Sequence, residues 1–213
     1  PLNQRSDEVI APVSVLAGAA LDDAKANTLG ETVAKEIGVQ TTYFGPGVGR
    51  PVIRGLDGPR VGVLANGESS GDVSTVSQDH AVTIEPFLAD QIEILKGPST
   101  LLYGSGAIGG VVNVVDGRIA EKPLDQPFSG RVELRGNSVS DEKSGMARID
   151  AQAGDVALHF DGVDRDTGDY GGPDGKIANS YVKTQTGAAS ATWAKEAGFL
   201  GLAISRYLDT YGS

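Results

Sequence analysis

The sequence predicts two architectures in tandem: a small α+β domain over residues 12–126, then antiparallel strands over residues 127–213 that close as a barrel or stack as a sandwich. Three observations predict this. Strands interleave with short helices in the first stretch. Beyond Phe128 the chain falls into alternating apolar and polar segments of about ten residues, separated by turns. Thirty glycines against five Phe and one Trp make a turn-rich composition that suits β structure.

Residues 1–11 are polar and aperiodic and read as an extended arm. Pro12-Val13-Ser14-Val15-Leu16 alternates and predicts a short strand. Residues 21–35 have helical character, with Leu29, Val33 and Ile37 spaced four apart on one face, Asn27 or Thr28 as cap and Gly38 as stop. A glycine cluster at 45–49 leads into the strand Val52-Ile53-Arg54. Residues 60–64 form a second strand that ends at the turn Asn66-Gly67, and 68–78 read as a polar loop. A helical turn at 86–90 precedes the strand at 91–95. A Gly-Pro break, a short helix and the buried run at 111–115 follow, with a polar linker at 116–126. In the second half Arg131-Val132-Glu133-Leu134-Arg135 and residues 147–153 alternate strictly. Val156, Leu158 and Phe160 share a face opposite Ala157, His159 and Asp161, and 181–193 and 199–207 follow the same habit.

Composition removes several function classes. A net charge of −10 argues against a nucleic-acid partner, because phosphate binding needs clustered Lys and Arg. Without cysteine there is no disulfide framework, thiolate metal site or thiol nucleophile. Only two histidines are present and no His-Glu-x-x-His, so no catalytic set assembles and the protein is not expected to be an enzyme. No stretch of about 20 apolar residues exists for a transmembrane helix, whereas a β-barrel stays open. The chain begins at Pro1 without a charged or apolar leader, so any export signal is expected to have been removed. Five strands cannot enclose a domain of this size, and an open edge in lipid leaves backbone groups unpaired; a membrane barrel would make this sequence only its beginning.

Three motifs carry chemistry. Gly104-Ser105-Gly106-Ala107-Ile108-Gly109 matches the dinucleotide fingerprint, but the β-branched run that follows reads as strand, and tight packing is the ordinary explanation. Asp164-Arg165-Asp166-Thr167-Gly168 resembles a calcium loop without its bidentate Glu and reads as a turn. Asp79-His80 sets a carboxylate beside an imidazole, a pair that suits zinc, copper, iron or nickel; the ordinary reading is a surface pair. His159 reads as a polar-face residue.

Two longer stretches are more specific. Pro51-Val-Ile-Arg-Gly-Leu-Asp-Gly-Pro-Arg-Val-Gly-Val-Leu-Ala-Asn-Gly67 resembles the first signature of TonB-dependent receptor plugs. Residues 89–115, Ala-Asp-Gln-Ile-Glu-Ile-Leu-Lys-Gly-Pro-Ser-Thr-Leu-Leu-Tyr-Gly-Ser-Gly-Ala-Ile-Gly-Gly-Val-Val-Asn-Val-Val, resemble the second. The resemblance implies an α+β plug followed by the first strands of a transmembrane β-barrel in the Gram-negative outer membrane, about 22 strands when whole, with the plug inside. Gly71-Asp72-Val73-Ser74, Ser77-Gln78-Asp79-His80-Ala81, Val115-Asp116-Gly117-Arg118-Ile119 and residues 180–193 and 198–212 are similar to the zinc-uptake (ZnuD-type) branch.

What this implies is an importer that needs no cofactor of its own and carries zinc, or a copper or iron chelate, as cargo. Asp79 and His80 become candidate metal ligands, with barrel residues completing the site. Arg54, Arg60 and Glu93 become framework residues or contacts to the barrel wall. Asp7, Glu8, Val9 and Ile10 stand where a TonB box pairs with the TonB–ExbB–ExbD energy-coupling complex. Outer-membrane lipid is the remaining expected partner.

Overall fold

The computed structural model describes residues 13–97, 106–195 and 197–212. It divides into two units between Asp116 and Gly117. Residues 117–126, expected as a linker beside the first domain, therefore group with the second.

The first unit is a five-stranded sheet of order β1-β6-β7-β4-β5, from β1 (Val13–Ala17), β4 (Val61–Ala65), β5 (Glu68–Ser69), β6 (Gln91–Leu95) and β7 (Gly110–Val115). Only the β4–β7 pair is parallel. The short strands β2 (Val39–Thr41) and β3 (Pro51–Ile53) pair separately. β6 and β7 are buried along almost their whole length, which explains why Val111 to Val115 reads as a continuous apolar run instead of alternating. Leu21, Leu29, Val33 and Ile53 form the core with Ile92 and Ile94 of β6 and Val112 of β7.

Two polar residues are buried in register on the opposite face of that sheet. Glu93 lies opposite Asn113, whose amide donates to Glu93 Oε2 at 3.0 Å. Gln91 donates to Glu93 Oε1 at 2.8 Å, and Asn113 Oδ1 accepts from Gly67 N at 2.8 Å. With both side chains satisfied, their burial is tolerated.

The expected helix at 21–35 is two helices, α1 (Gly18–Ala24) and α2 (Leu29–Val33). The chain breaks where the Lys25 ammonium is drawn inward to Asp22 and the Phe87 carbonyl, at 3.1 and 3.3 Å. Thr28 then starts α2 by accepting from Glu31 N at 3.2 Å. Because α2 stops at Val33, Ile37 does not share its apolar face and is 91% exposed. Gly38 ends the segment at φ +76, and Asn66-Gly67 forms the β4–β5 turn with both φ positive. The expected strand residue Arg54 is a turn residue at φ +55, just beyond β3. Part of the expected loop at 68–78 pairs as β5, and Val73–Thr75 is a 3₁₀ turn.

Gly110 explains much of the glycine run before β7. A Cβ there would lie 2.5 Å from Ile53 Cδ1 and 2.9 Å from the Leu95 carbonyl. Gly106, Gly109 and Gly110 serve packing, and β7 follows in place of the helix that a dinucleotide site requires. The short helix expected after Gly97-Pro98 lies outside the described residues.

The second unit is a five-stranded antiparallel sheet in the order β14-β13-β10-β9-β8. Its strands are β8 (Phe128–Asn137), β9 (Glu142–Ala153), β10 (Val156–Thr167), β13 (Val182–Lys195) and β14 (Gly198–Tyr211). The minor strands β11 (Gly171–Gly172) and β12 (Gly175–Lys176) form a separate hairpin. Paired residues share a face, so the register sorts every side chain. One face aligns Gly130, Ile149, Phe160, Ala189 and Ile204 in a row, with Phe128, Ala151, Leu158, Ala191 and Leu202 in the next. The other face carries Glu142, Ser144, Arg148, Asp150, His159 and Arg165. On that polar face Asp150, His159 and Arg165 are buried, whereas Leu200, Leu202 and Ile204 on the apolar face are 75–79% exposed.

This is the inverse of a water-soluble sheet and matches a barrel wall with lipid outside. Trp193, with the Lys195 ammonium 5.3 Å from its ring centroid, lies at the end where the two-residue turn 154–155 joins β9 to β10. Short turns mark the periplasmic end of such walls and longer connections, here 138–141 and 168–181, the other, with aromatic residues at both interfaces. Asp164 to Thr167 lie within β10, not in a turn or calcium loop. Asp164 accepts from Gln185 at 2.8 Å and Asp166 from Lys183 at 3.2 Å.

Candidate functional site

Asp79 and His80 sit on the loop between β5 and the 3₁₀ turn Pro86–Leu88, in the first unit. Asp72 staples that loop: its Oδ2 accepts from the backbone N and the hydroxyl of Thr83, both at 3.2 Å, and Oδ1 accepts from the Ser74 hydroxyl. Within the loop, Ser77 N donates to Val73 O at 3.0 Å and His80 N to Ser77 O at 3.3 Å. The backbone of 77–80 is thereby held while its side chains project outward.

The Asp79 carboxylate is 65% exposed and the His80 ring 51%, with Oδ1 and Nδ1 3.1 Å apart. Ser77 donates its hydroxyl to the same Oδ1. That hydrogen bond, followed by those of His80 and the backbone, holds the Asp79 carboxyl below the usual carboxylate range. The group therefore stays ionised to lower pH than an ordinary carboxylate and sets an anionic oxygen beside an imidazole nitrogen. Among the described residues no group of three or more His, Asp or Glu is placed to hold a metal. Any cation at this pair would take its remaining donors from elsewhere, because two ligands leave a tetrahedral or octahedral shell incomplete.

The framework residues separate. Arg54 is exposed at its turn. Arg60 pairs with Asp57 at 3.1 Å, with its side chain 51% exposed. Glu93 is 3% exposed and bonded inside the β6–β7 sheet, as a framework residue of its own unit. Asp7, Glu8, Val9 and Ile10 lie outside the described residues.

Sequence reasoning missed Arg50. It is 3% exposed, and its Nε has no hydrogen-bond partner among the described residues. Burial weakens its hold on the proton, while the charges of Asp72 and Asp57 oppose that effect. The Asp72 that feels this cation is the residue that staples the Asp79–His80 loop. An Arg in Gly49-Arg50-Pro51 carries no periodic signal that announces burial. His159, read as an ordinary polar-face residue, is buried between two carboxylates.

Gly67-Glu68-Ser69-Ser70-Gly71 has the G-x-S-x-G spacing of a hydrolase nucleophile elbow. It folds as a hairpin turn into β5, without the strand-to-helix turn that such a serine needs.

The family model described as TonB-dependent Receptor Plug Domain matches residues 5–111. The chain is 34% identical over 108 residues to the Vitamin B12 transporter BtuB of Photobacterium profundum, covering 50% of this chain and 18% of that protein. It is 34% identical over 112 residues to the Hemin receptor of Yersinia pestis, covering 52% and 16% respectively. Among solved structures, the Copper transporter OprC superposes with a TM-score of 0.76 at 22% identity, over 92% of this chain and 30% of that one. A mutant of the ferric enterobactin receptor of Pseudomonas aeruginosa superposes with a TM-score of 0.72 at 16% identity, over 94% and 33%. The chain thus spans under a fifth of these curated relatives and about a third of these structures. Both units share the fold of these receptors.

Proposed function

The chain belongs to the TonB-dependent receptor plug family, whose receptors stand in the outer membrane, and we propose that the whole protein imports a scarce metal nutrient, zinc in first place. The observation that carries the cargo reading is the Asp79–His80 pair, held on a stapled loop with both side chains projecting. Carboxylate and imidazole bind zinc without a thiolate, which favours release after capture. Uptake then has four steps: the cargo binds at the outer face, the plug shifts, TonB with ExbB and ExbD pulls the N-terminal arm, and a path opens through the barrel. The pull supplies the energy, so the chain needs no nucleotide site. Likeness to the zinc-uptake branch rests on the motifs around residues 71–81 and 115–119.

A second reading keeps the transporter and changes the cargo to a chelate such as a siderophore, haem or complexed copper. The names of the relatives favour it: they are a vitamin B12 transporter, a hemin receptor, a copper transporter and a ferric enterobactin receptor. A soluble plug-like binding module is the reading of another class, and the outward apolar face of the second unit argues against it. Calorimetry with zinc on the full-length receptor in detergent, beside Asp79→Ala/His80→Ala, separates these. Zinc binding that is lost in the double variant supports the metal reading. Absence of binding, or binding indifferent to the variant, overturns it in favour of a chelate.

A further inference from the structure

The junction between the two units is clamped on both sides of one residue. On the plug side Asn66 holds Asp116 twice: its amide donates to Asp116 Oδ1 at 2.9 Å, and Asp116 N donates to Asn66 Oδ1 at 3.2 Å. On the strand side Arg118 grips Asp161 with two nitrogens, Nε to Oδ2 at 2.7 Å and Nη2 to Oδ1 at 3.1 Å. Its carbonyl accepts from the Ser190 hydroxyl on β13. Such forked Arg–carboxylate pairs are directional as well as strong.

Asp161 is the start of a longer chain of ionisable side chains on the polar face. His159 Nε2 lies 2.8 Å from Asp161 Oδ2, and its Nδ1 lies 2.7 Å from Asp150 Oδ1. Arg148 Nε donates to Asp150 Oδ2 at 2.8 Å. Both ring nitrogens thus face carboxylate oxygens, which accept only, so the ring donates to both when it carries two protons. The Asp161 side chain is 1% exposed and that of His159 5%.

The residues after Arg118 lie along the same face. A Cβ at Gly201 of β14 would come 3.0 Å from Ile119 Cδ1, so glycine makes room for that side chain. Leu124 N donates to Gln152 Oε1 at 2.9 Å, and Gln152 N donates to Pro127 O at 2.9 Å. Between the two clamps stands Gly117 alone, at φ +67, a conformation that suits glycine.

We propose that Gly117 is a single-residue hinge between plug and wall, with Asp116 locked to the plug by Asn66 and Arg118 locked to the wall by the Asp161–His159–Asp150 cluster. Residues 118–127 are then part of the wall, and the segment that moves with the plug ends at Asp116. A pull on the plug turns the chain at Gly117 before it loads the buried cluster. The movement, though not the clamp, rests on the reading that the plug shifts during uptake.

The test uses the full-length receptor in outer membranes with Ile119→Cys, in a chain whose described part has no native cysteine. The rate of thiol labelling is measured at rest and while TonB is energised. At rest, labelling is expected to be slow and to accelerate about tenfold when Asp161→Asn or Arg118→Gln opens the segment locally. Arg118→Gln lies outside the strands and serves if Asp161→Asn fails to insert. On energising, Ile119→Cys is expected to keep its resting rate while Glu68→Cys on the plug changes. Resting labelling that is already fast, or is unchanged by both variants, overturns the clamp. Labelling that rises on energising to the level of the variants overturns the hinge. A receptor without energised uptake would tell against the transport reading instead, leaving the resting measurement decisive for the clamp.

Discussion

The two units use the two faces of a strand differently: the plug's central strands are buried on both, the wall's strands on one. In the plug, β6 and β7 are buried on both faces: Ile92 and Ile94 pack into the core on one, and Glu93 and Asn113 lie on the other as a bonded pair. In the wall, Arg148, Asp150, His159 and Arg165 turn inward while Ile149, Phe160, Leu202 and Ile204 face out. Period two reveals that a strand has two faces; it does not reveal which of them is wet. The solvent decides: water rewards the burial of an apolar face, and lipid rewards its display.

The largest expected break comes from the plug core. Ile92→Ala, at 0% exposure, should cost about 2–5 kcal/mol in plug stability, read by denaturant unfolding of the receptor. In the wall the costly change is the reverse one. Ile149→Arg on the outward face should cost about 2–4 kcal/mol near the bilayer midplane, read by refolding into vesicles. Ala188→Arg, on the polar face in the row of Asp161, should cost far less in the same assay. Removing one member of the plug's buried polar pair, by Asn113→Ala, should cost about 1–3 kcal/mol, because the Glu93 oxygen is left unbonded.

The smallest effect concerns the site. Asp79 has a folded pKa below its unfolded value, so its contribution is present above the unfolded value and lost as pH falls through the folded one. Ser77→Ala removes the first cause of that shift. Titration of the Asp79 carboxyl by NMR should then show its midpoint rising toward the ordinary carboxylate value, with no change near neutrality.

Much of the fold was legible because local chemistry and global packing agree. Asn66-Gly67 folds as the turn it spells, Thr28 caps, Gly38 stops the chain, and the strict alternation of residues 147–153 becomes β9. What stayed hidden depends on partners distant in sequence. The break between α1 and α2 follows from Lys25 reaching the Phe87 carbonyl, and Arg50 is buried although its local sequence gives no sign of it. The grouping of residues 117–126 with the strands follows from Arg118 reaching Asp161, across a gap no local window spans. The candidate ligands Asp79 and His80 were legible as a pair, but not the Asp72 staple that fixes their loop.

The second unit is a membrane wall only if its polar face points inward and its apolar face meets lipid. The most direct test places a nitroxide at each position from 146 to 152 of the full-length receptor in bilayers and compares collision with oxygen, which prefers lipid, and with a polar nickel chelate. Oxygen accessibility peaking at 147, 149 and 151, and low at 146, 148, 150 and 152, is the predicted result. Oxygen accessibility peaking at the even positions, or chelate accessibility peaking at the odd ones, would contradict the wall and the transport reading built on it.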